Sequence, residues 1–206
     1  MTANYDNTTW FYERLSKLVF GQAQIKAQEY FLNQIQPDAN ILIIGGGTGQ
    51  ILESLTRLHP SGLQITYVEV SAKMMALSRK RYTGENKVNY ITAAIGEAIF
   101  TGSFDIIITA FLFDNFSQKS LEHTFPLIDA QVKHGAIWLN TDFRLTGPLW
   151  QKLMLKSMYL FFKFFNAVDV QKPPNIEPVF RQYSYQLKQE KSFYRNFIIS
   201  QLYRKA

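Results

Sequence analysis

Residues 40–52 read Asn-Ile-Leu-Ile-Ile-Gly-Gly-Gly-Thr-Gly-Gln-Ile-Leu, and no other stretch limits the possible folds of this chain as strongly. An uninterrupted apolar run, Ile41 to Ile44, arrives at a cluster of glycines, and apolar residues then recur at Ile51, Leu52, Leu55 and Leu58 with helical spacing. The pattern predicts a buried strand, a tight turn and the start of a helix. Glycine reaches positive φ without steric cost and lets a ligand approach backbone that a Cβ would shield. The first turn of the helix behind it offers free N–H groups to an electron-rich partner. A nucleotide-type cofactor on an α/β sheet is expected here.

The spacing narrows the cofactor. A dinucleotide fingerprint needs Gly-x-Gly-x-x-Gly; Gly45 and Gly47 fit it, but Gln50 stands at the third position. A phosphate loop would end in Gly-Lys-Ser/Thr, which is missing. What remains is Gly-x-Gly-x-Gly at Gly45, Gly47 and Gly49, followed by a second apolar run, Leu63 to Val68, that closes on Glu69. A carboxylate at the end of the second strand is placed to accept both hydroxyls of a ribose.

Over residues 40–142 the chain resembles the class I S-adenosylmethionine-dependent methyltransferases. Five pieces carry the resemblance in order: Ile41 to Gly49; Tyr67 to Ser71 with Met74 and Met75; Val88 to Ala94; Phe104 to Thr109; and Gly135 to Asp142. The resemblance implies a Rossmann-like three-layer α/β sandwich. Its seven-stranded, mostly parallel sheet would run 3-2-1-4-5-7-6 with strand 7 antiparallel and N-terminal helices in front. It implies S-adenosyl-L-methionine as cofactor, held by Gly45, Gly46, Gly47, Gly49, Glu69, Val70, Met74, Ala94, Ile95 and Ala110. Two positions depart from the family pattern. The first strand usually carries an acid where Ile43 stands, and the third usually ends in an aspartate to the adenine amino group where Ala94 stands; the backbone N–H of Ile95 remains available to the ring.

A single domain over 1–206 is expected, with a helical cap at 1–37, a cofactor-binding core at 38–143, and a helical insert plus C-terminal β-hairpin at 144–206. Residues 8–35 read as helices broken near Gly21. In the family such helices cover the cofactor, so Tyr5, Trp10 and Tyr12 are candidates to face the sulfonium, although ordinary packing is the better reading for Trp10. Strands are expected at 88–92 and 104–109, a helix from Asn115 to Lys133, and a hairpin over 180–203 turning near Glu190-Lys191-Ser192. The run Arg79-Lys80-Arg81 suits a helix C-terminus and reads as structural.

Ligands bind beyond the carboxyl ends of strands in open α/β sheets. That rule selects Asp114 and Asp142 as candidate catalytic groups, each with a simple capping role as the alternative, and Tyr12, Phe111, Phe113, Arg144 and Trp150 as candidate acceptor contacts. His59, His123 and His134 fall elsewhere. Without cysteine there is no disulfide framework or thiolate site, and no metal is expected.

Charge divides the chain. Residues 1–143 hold 11 Lys/Arg against 13 Asp/Glu, whereas 144–206 hold 11 against 3, so the surplus of +6 belongs to the tail. Within it, 149–168 is broadly apolar with Lys152, Lys156 and Lys163 on one face, fitting a helix in a membrane interface, a lid over a greasy substrate, a dimer surface or a core helix. No signal peptide or spanning segment is evident, so a cytoplasmic protein, with peripheral membrane contact through 149–168 as an option, is expected.

The leading function is methyl transfer to a small or lipid-like acceptor. A non-catalytic S-adenosylmethionine-binding or regulatory protein is the alternative suggested by Ile43 and Ala94. An aminopropyltransferase-like enzyme matches the glycine loop and Glu69 but lacks the acids that family needs at Thr109-Ala110 and Ala94. Nucleic acid is not the expected substrate, since no Asn/Asp-Pro-Pro-Tyr/Phe motif follows strand four.

Overall fold

The computed structural model describes residues 16–100, 102–164 and 172–206. A helical stretch over 16–20 leads through Gly21, at φ 59°, into α1 (Ala23–Glu29). The core then alternates strand and helix: β1 (Asn40–Ile44), α2 (Gln50–Leu58), β2 (Ser61–Val68), α3 (Ala72–Ser78), β3 (Glu85–Ile91), β4 (Phe104–Ala110), a 3-10 turn (Phe113–Asn115), α4 (Gln118–Asp129) and β5 (Val132–Phe143). The chain continues through α5 (Leu149–Phe164), α6 (Glu177–Gln182), β6 (Tyr185–Phe193) and β7 (Ile198–Lys205).

The strands form one seven-stranded sheet in the order β3-β2-β1-β4-β5-β7-β6. The first five are mutually parallel, and β7 runs antiparallel between β5 and β6. This is the expected topology. Ile41 and Ile43 pack with Leu52, Leu55 and Ile106 on one face, while Leu42 and Ile44 pack with Ile107, Phe125 and Trp138 on the other. Burial on both faces explains why β1 reads as continuous apolar sequence rather than alternating. Trp138 stacks on Phe125 at 4.9 Å between centroids, and its indole N–H donates to Thr109 Oγ1 at 2.9 Å; the Thr109 hydroxyl itself donates to Asn140 Oδ1. The polar edge of the ring is thereby satisfied inside the core.

Several local boundaries differ from the sequence reading. β3 starts at Glu85, and β5 starts at Val132, so His134 lies within the strand, still near its N-terminal end. The helix after β4 does not begin at Asn115. Residues 113–115 make a separate turn, and Ser117 is the N-cap of α4, its Oγ accepting from Ser120 N at 3.1 Å. Phe180 and Gln182 belong to α6, not to the hairpin. The hairpin turns at Tyr194, Arg195 and Asn196, all at positive φ, rather than at Glu190-Lys191-Ser192. Those polar residues instead belong to β6, an edge strand with most of its side chains in solvent.

Candidate active site

The strand order reverses between β1 and β4, and the glycine loop follows β1 at that point. Gly45, Gly47 and Gly49 all take positive φ (65°, 63° and 84°), which makes glycine the residue the loop requires. A Cβ at Gly47 would meet only Met74 Sδ, at 3.8 Å, so the backbone there borders open space. At Gly49 a Cβ would come within 2.8 Å of the Ser78 backbone, so this glycine lets α3 pack against the loop.

Glu69 is buried and holds the loop from beneath. Its Oε2 accepts the Gly47 N–H at 2.9 Å and its Oε1 accepts the Ser71 N–H at 2.8 Å. Tyr67 reinforces the same turn by donating its hydroxyl to Gly47 O at 2.9 Å; burial, and then the neighbouring Glu69 charge, raise the pKa of the Tyr67 phenol well above its usual range. Arg81, whose sequence context suggested only a helix terminus, donates Nε–H to Thr48 O at 2.9 Å and pairs with Glu53.

Two clefts open on this loop. The first is lined by Gly45, Gly46 and Gly47 together with Ser16, Lys17, Gln24 and Gln28. The second is lined by Glu69, Val70, Met74, Ala94, Ile95, Asn115 and Phe116. They share Ile44, Gly45, Gly47, Ala110 and Phe111, and so form two halves of one groove over the ends of β1 and β4. Of the expected cofactor residues, all but Gly49 border it.

Phe111 sits where the halves meet and adopts φ 53°, a left-handed conformation that aromatic residues rarely hold. It is fixed from three sides. Its N–H donates to Thr141 O at 2.7 Å, Asn115 Nδ2 donates to its carbonyl at 2.9 Å, and its ring packs 4.9 Å from Phe143.

Asp114 and Asp142 lie close together but face a third cavity. It is lined by both carboxylates with Phe113, Phe143, Arg144, Lys172, Ile176 and Glu177, and neither aspartate borders the glycine-loop groove. Asp142 Oδ2 accepts from Phe113 N and Asp114 N at 3.1 and 3.2 Å, and Oδ1 accepts from Phe143 N at 2.8 Å. Its carboxylate therefore pins the 113–115 turn to the end of β5. Asp114 Oδ1 accepts from Asn115 Nδ2 at 2.8 Å, so Asn115 links this pair to the second cleft. Burial pushes Asp114 up to about 7; burial and then the Asp114 charge raise Asp142 well above the carboxylate range.

The remaining candidates are dispersed. Phe113 is buried against Trp138 and Phe180 and touches the third cavity. Arg144 borders that cavity while pairing with Glu190 at 3.3 Å. Trp150 packs on Phe197 and borders none of the three spaces. Tyr12, Tyr5 and Trp10 lie outside the described residues. The sequence reading missed Lys17, Gln24 and Gln28; the one available signal was Gln24, a polar residue on the buried face of α1.

Fold and groove together define an α/β protein with an open groove at its topological switch point, where sheets of this kind bind their ligands. Compared with known proteins, residues 41–135 match the family described as a methyltransferase domain. The ubiquinone/menaquinone biosynthesis C-methyltransferase of Wigglesworthia glossinidia brevipalpis is 27% identical over 167 residues, covering 78% of this chain and 64% of that relative's length. In fold, the chain is similar to magnesium protoporphyrin IX methyltransferase of Synechocystis PCC 6803 with bound S-adenosylhomocysteine (TM-score 0.68, 11% identity, 98% of this chain and 97% of that one). It is also similar to the plantazolicin methyltransferase complex with S-adenosylhomocysteine and a triazolic desmethyl analog (TM-score 0.69, 13% identity, 97% and 91%). Residues 41–135 are thus similar in sequence to a methyltransferase domain, and the fold of the chain is that of the methyltransferases it superposes on.

Proposed function

We propose that this protein transfers a methyl group from S-adenosylmethionine to a small or lipid-like acceptor. The observation that carries the reading is the continuous groove formed where the two clefts share Gly45, Gly47, Ala110 and Phe111. Its residues fit the cofactor: an open backbone at Gly47 for the amino-acid portion and a carboxylate at Glu69 for the sugar. Glu69 accepts N–H bonds from Gly47 and Ser71, and the ribose hydroxyls would approach the same carboxylate. Ala94 and Ile95 would flank the adenine, and Lys17, Gln24 and Gln28 would border the amino-acid end.

The bound cofactor supplies an electrophilic methyl group and a good leaving group. The chain's contribution is alignment and exclusion of water. Phe111, held in a strained conformation at the junction, is the residue best placed to set the approach of the acceptor. Asp142 acts as a positioning residue through the 113–115 turn. Asp114, raised to about 7 and bordering the third cavity, is the candidate base for an acceptor whose hydroxyl extends from the groove into that cavity. The quinone-pathway name of the curated relative supports an apolar acceptor.

The test is incubation with methyl-labelled S-adenosylmethionine and a bacterial lipid extract or aqueous metabolite fraction, followed by solvent partition. Label in a product of either fraction, abolished by Gly47→Val, supports methyl transfer. No labelled product from either contradicts it.

A further inference from the structure

The helix α5 exposes an apolar row that no other element covers among the described residues. Its inner face packs Leu155 and Tyr159 into a cluster with Phe20, Phe143 and Phe197. Its outer face carries Leu149, Leu153 and Leu160, exposed by 75%, 68% and 69%. At about 100° per residue these three leucines fall within about 40° of arc, and the exposed Lys152 and Lys156 form a second row immediately beside them. No acidic residue occurs between Phe143 and Asp169, and the chain from Arg144 onward is strongly basic. Among the described residues no helix is long and apolar enough to cross a membrane.

We propose that α5 docks the protein on an anionic bilayer surface. Leu149, Leu153 and Leu160 enter the interface, and Lys152 and Lys156 meet the phosphate groups along one side. The charge on this face selects the occupant. A second copy of the chain would present the same lysines and leucines to each other, opposing like charges with no acid to offset them. An anionic lipid surface complements both rows, since buried apolar area and electrostatic attraction add in interfacial helices.

The docked geometry bears on the site. Tyr159, on the inner face of α5, donates its hydroxyl to Asp114 O at 2.8 Å, and Phe111 packs in the same cluster as Leu155 and Tyr159. A helix lying on lipid would hold the groove close to the surface. That consequence rests on the proposed methyl transfer to a lipid-like acceptor; docking itself does not.

Flotation of the full chain with vesicles tests it, using pure phosphatidylcholine and phosphatidylcholine containing about 30% phosphatidylglycerol. The protein is expected to float with the anionic vesicles and to dissociate as salt rises. Leu153→Glu/Leu160→Glu should weaken partition about tenfold or more, and Lys152→Gln/Lys156→Gln should remove the preference for the anionic vesicles. Both pairs lie on the solvent face, so thermal midpoint and S-adenosylhomocysteine binding should match the parent. Failure of the parent to float overturns the docking, as does flotation of the leucine variant equal to the parent's. A dimer in solution that the leucine variant converts to monomer, without vesicle binding, assigns the face to a second copy and also overturns it. Cofactor binding without flotation removes docking alone, and flotation without cofactor binding removes the methyltransferase reading alone.

Discussion

The Tyr67 ring occupies the space into which a side chain at Gly46 would project: a Cβ there would lie 2.2 Å from the ring carbon Cζ. The ring is fully buried, and its hydroxyl is committed to Gly47 O, so it has nowhere to retreat. Gly46→Ala is expected to destabilise the protein by about 1–3 kcal/mol, as overpacking of a rigid core does. In a Tyr67→Leu background the cost of the same change should fall by at least about 1 kcal/mol. Denaturant unfolding of the four proteins of this cycle measures the coupling; additive effects would contradict the contact.

Glu69 joins the glycine loop to the start of α3 by accepting from Gly47 and Ser71. Glu69→Gln replaces one acceptor with an N–H₂ group facing an N–H. The expected cost is about 1–3 kcal/mol of stability for an unsatisfied buried donor. Cofactor affinity should fall about tenfold or more through loss of the ribose acceptor and of the loop geometry. Stability lost without any change in affinity would assign Glu69 to the loop alone.

Asp114 and Asp142 are buried together, and both carboxyls are raised. A carboxyl with a higher pKa in the folded than in the unfolded state binds more protons when folded. Its contribution is therefore full below about pH 4 and is lost as pH rises through about 7. Asp114→Asn removes one of the two titrations. Relative to this variant, the parent should lose on the order of 2–4 kcal/mol between pH 4 and pH 8, read from unfolding curves at each pH. Parallel profiles would show that the pair does not carry the shift.

The glycine loop was legible because its causes are local, whereas the strand order followed from the family resemblance of the five motif pieces. The run Ile41 to Ile44 is apolar on both faces since it sits in mid-sheet, and the glycines after it are fixed by φ and by what a Cβ would strike. The hairpin turn was not legible, because Tyr194, Arg195 and Asn196 are held at positive φ by tertiary contacts. Tyr194 donates to Val19 O, and Gln151 donates to Arg195 O. The polar character of Glu190 to Ser192 reports an edge strand, which sequence alone does not separate from a turn. The residues expected around the cofactor came from motif order, and all of them but Gly49 line the groove. The two aspartates could be placed at strand ends, but not on the side of the 113–115 turn they face, since that depends on Asp142 reaching back to the Phe113 and Asp114 amides. Lys17, Gln24 and Gln28 reach the groove only through packing of the N-terminal helices on the sheet.

The central claim is that the groove shared by Gly45, Gly47, Ala110 and Phe111 receives S-adenosylmethionine. Calorimetric titration with S-adenosylhomocysteine tests it directly, because the product needs no acceptor to bind. One site with a dissociation constant of micromolar order is expected in the parent, with binding lost in Gly47→Val, whose side chain would enter the groove from a strained backbone. No heat of binding up to millimolar ligand, or binding that Gly47→Val leaves unchanged, would contradict the account.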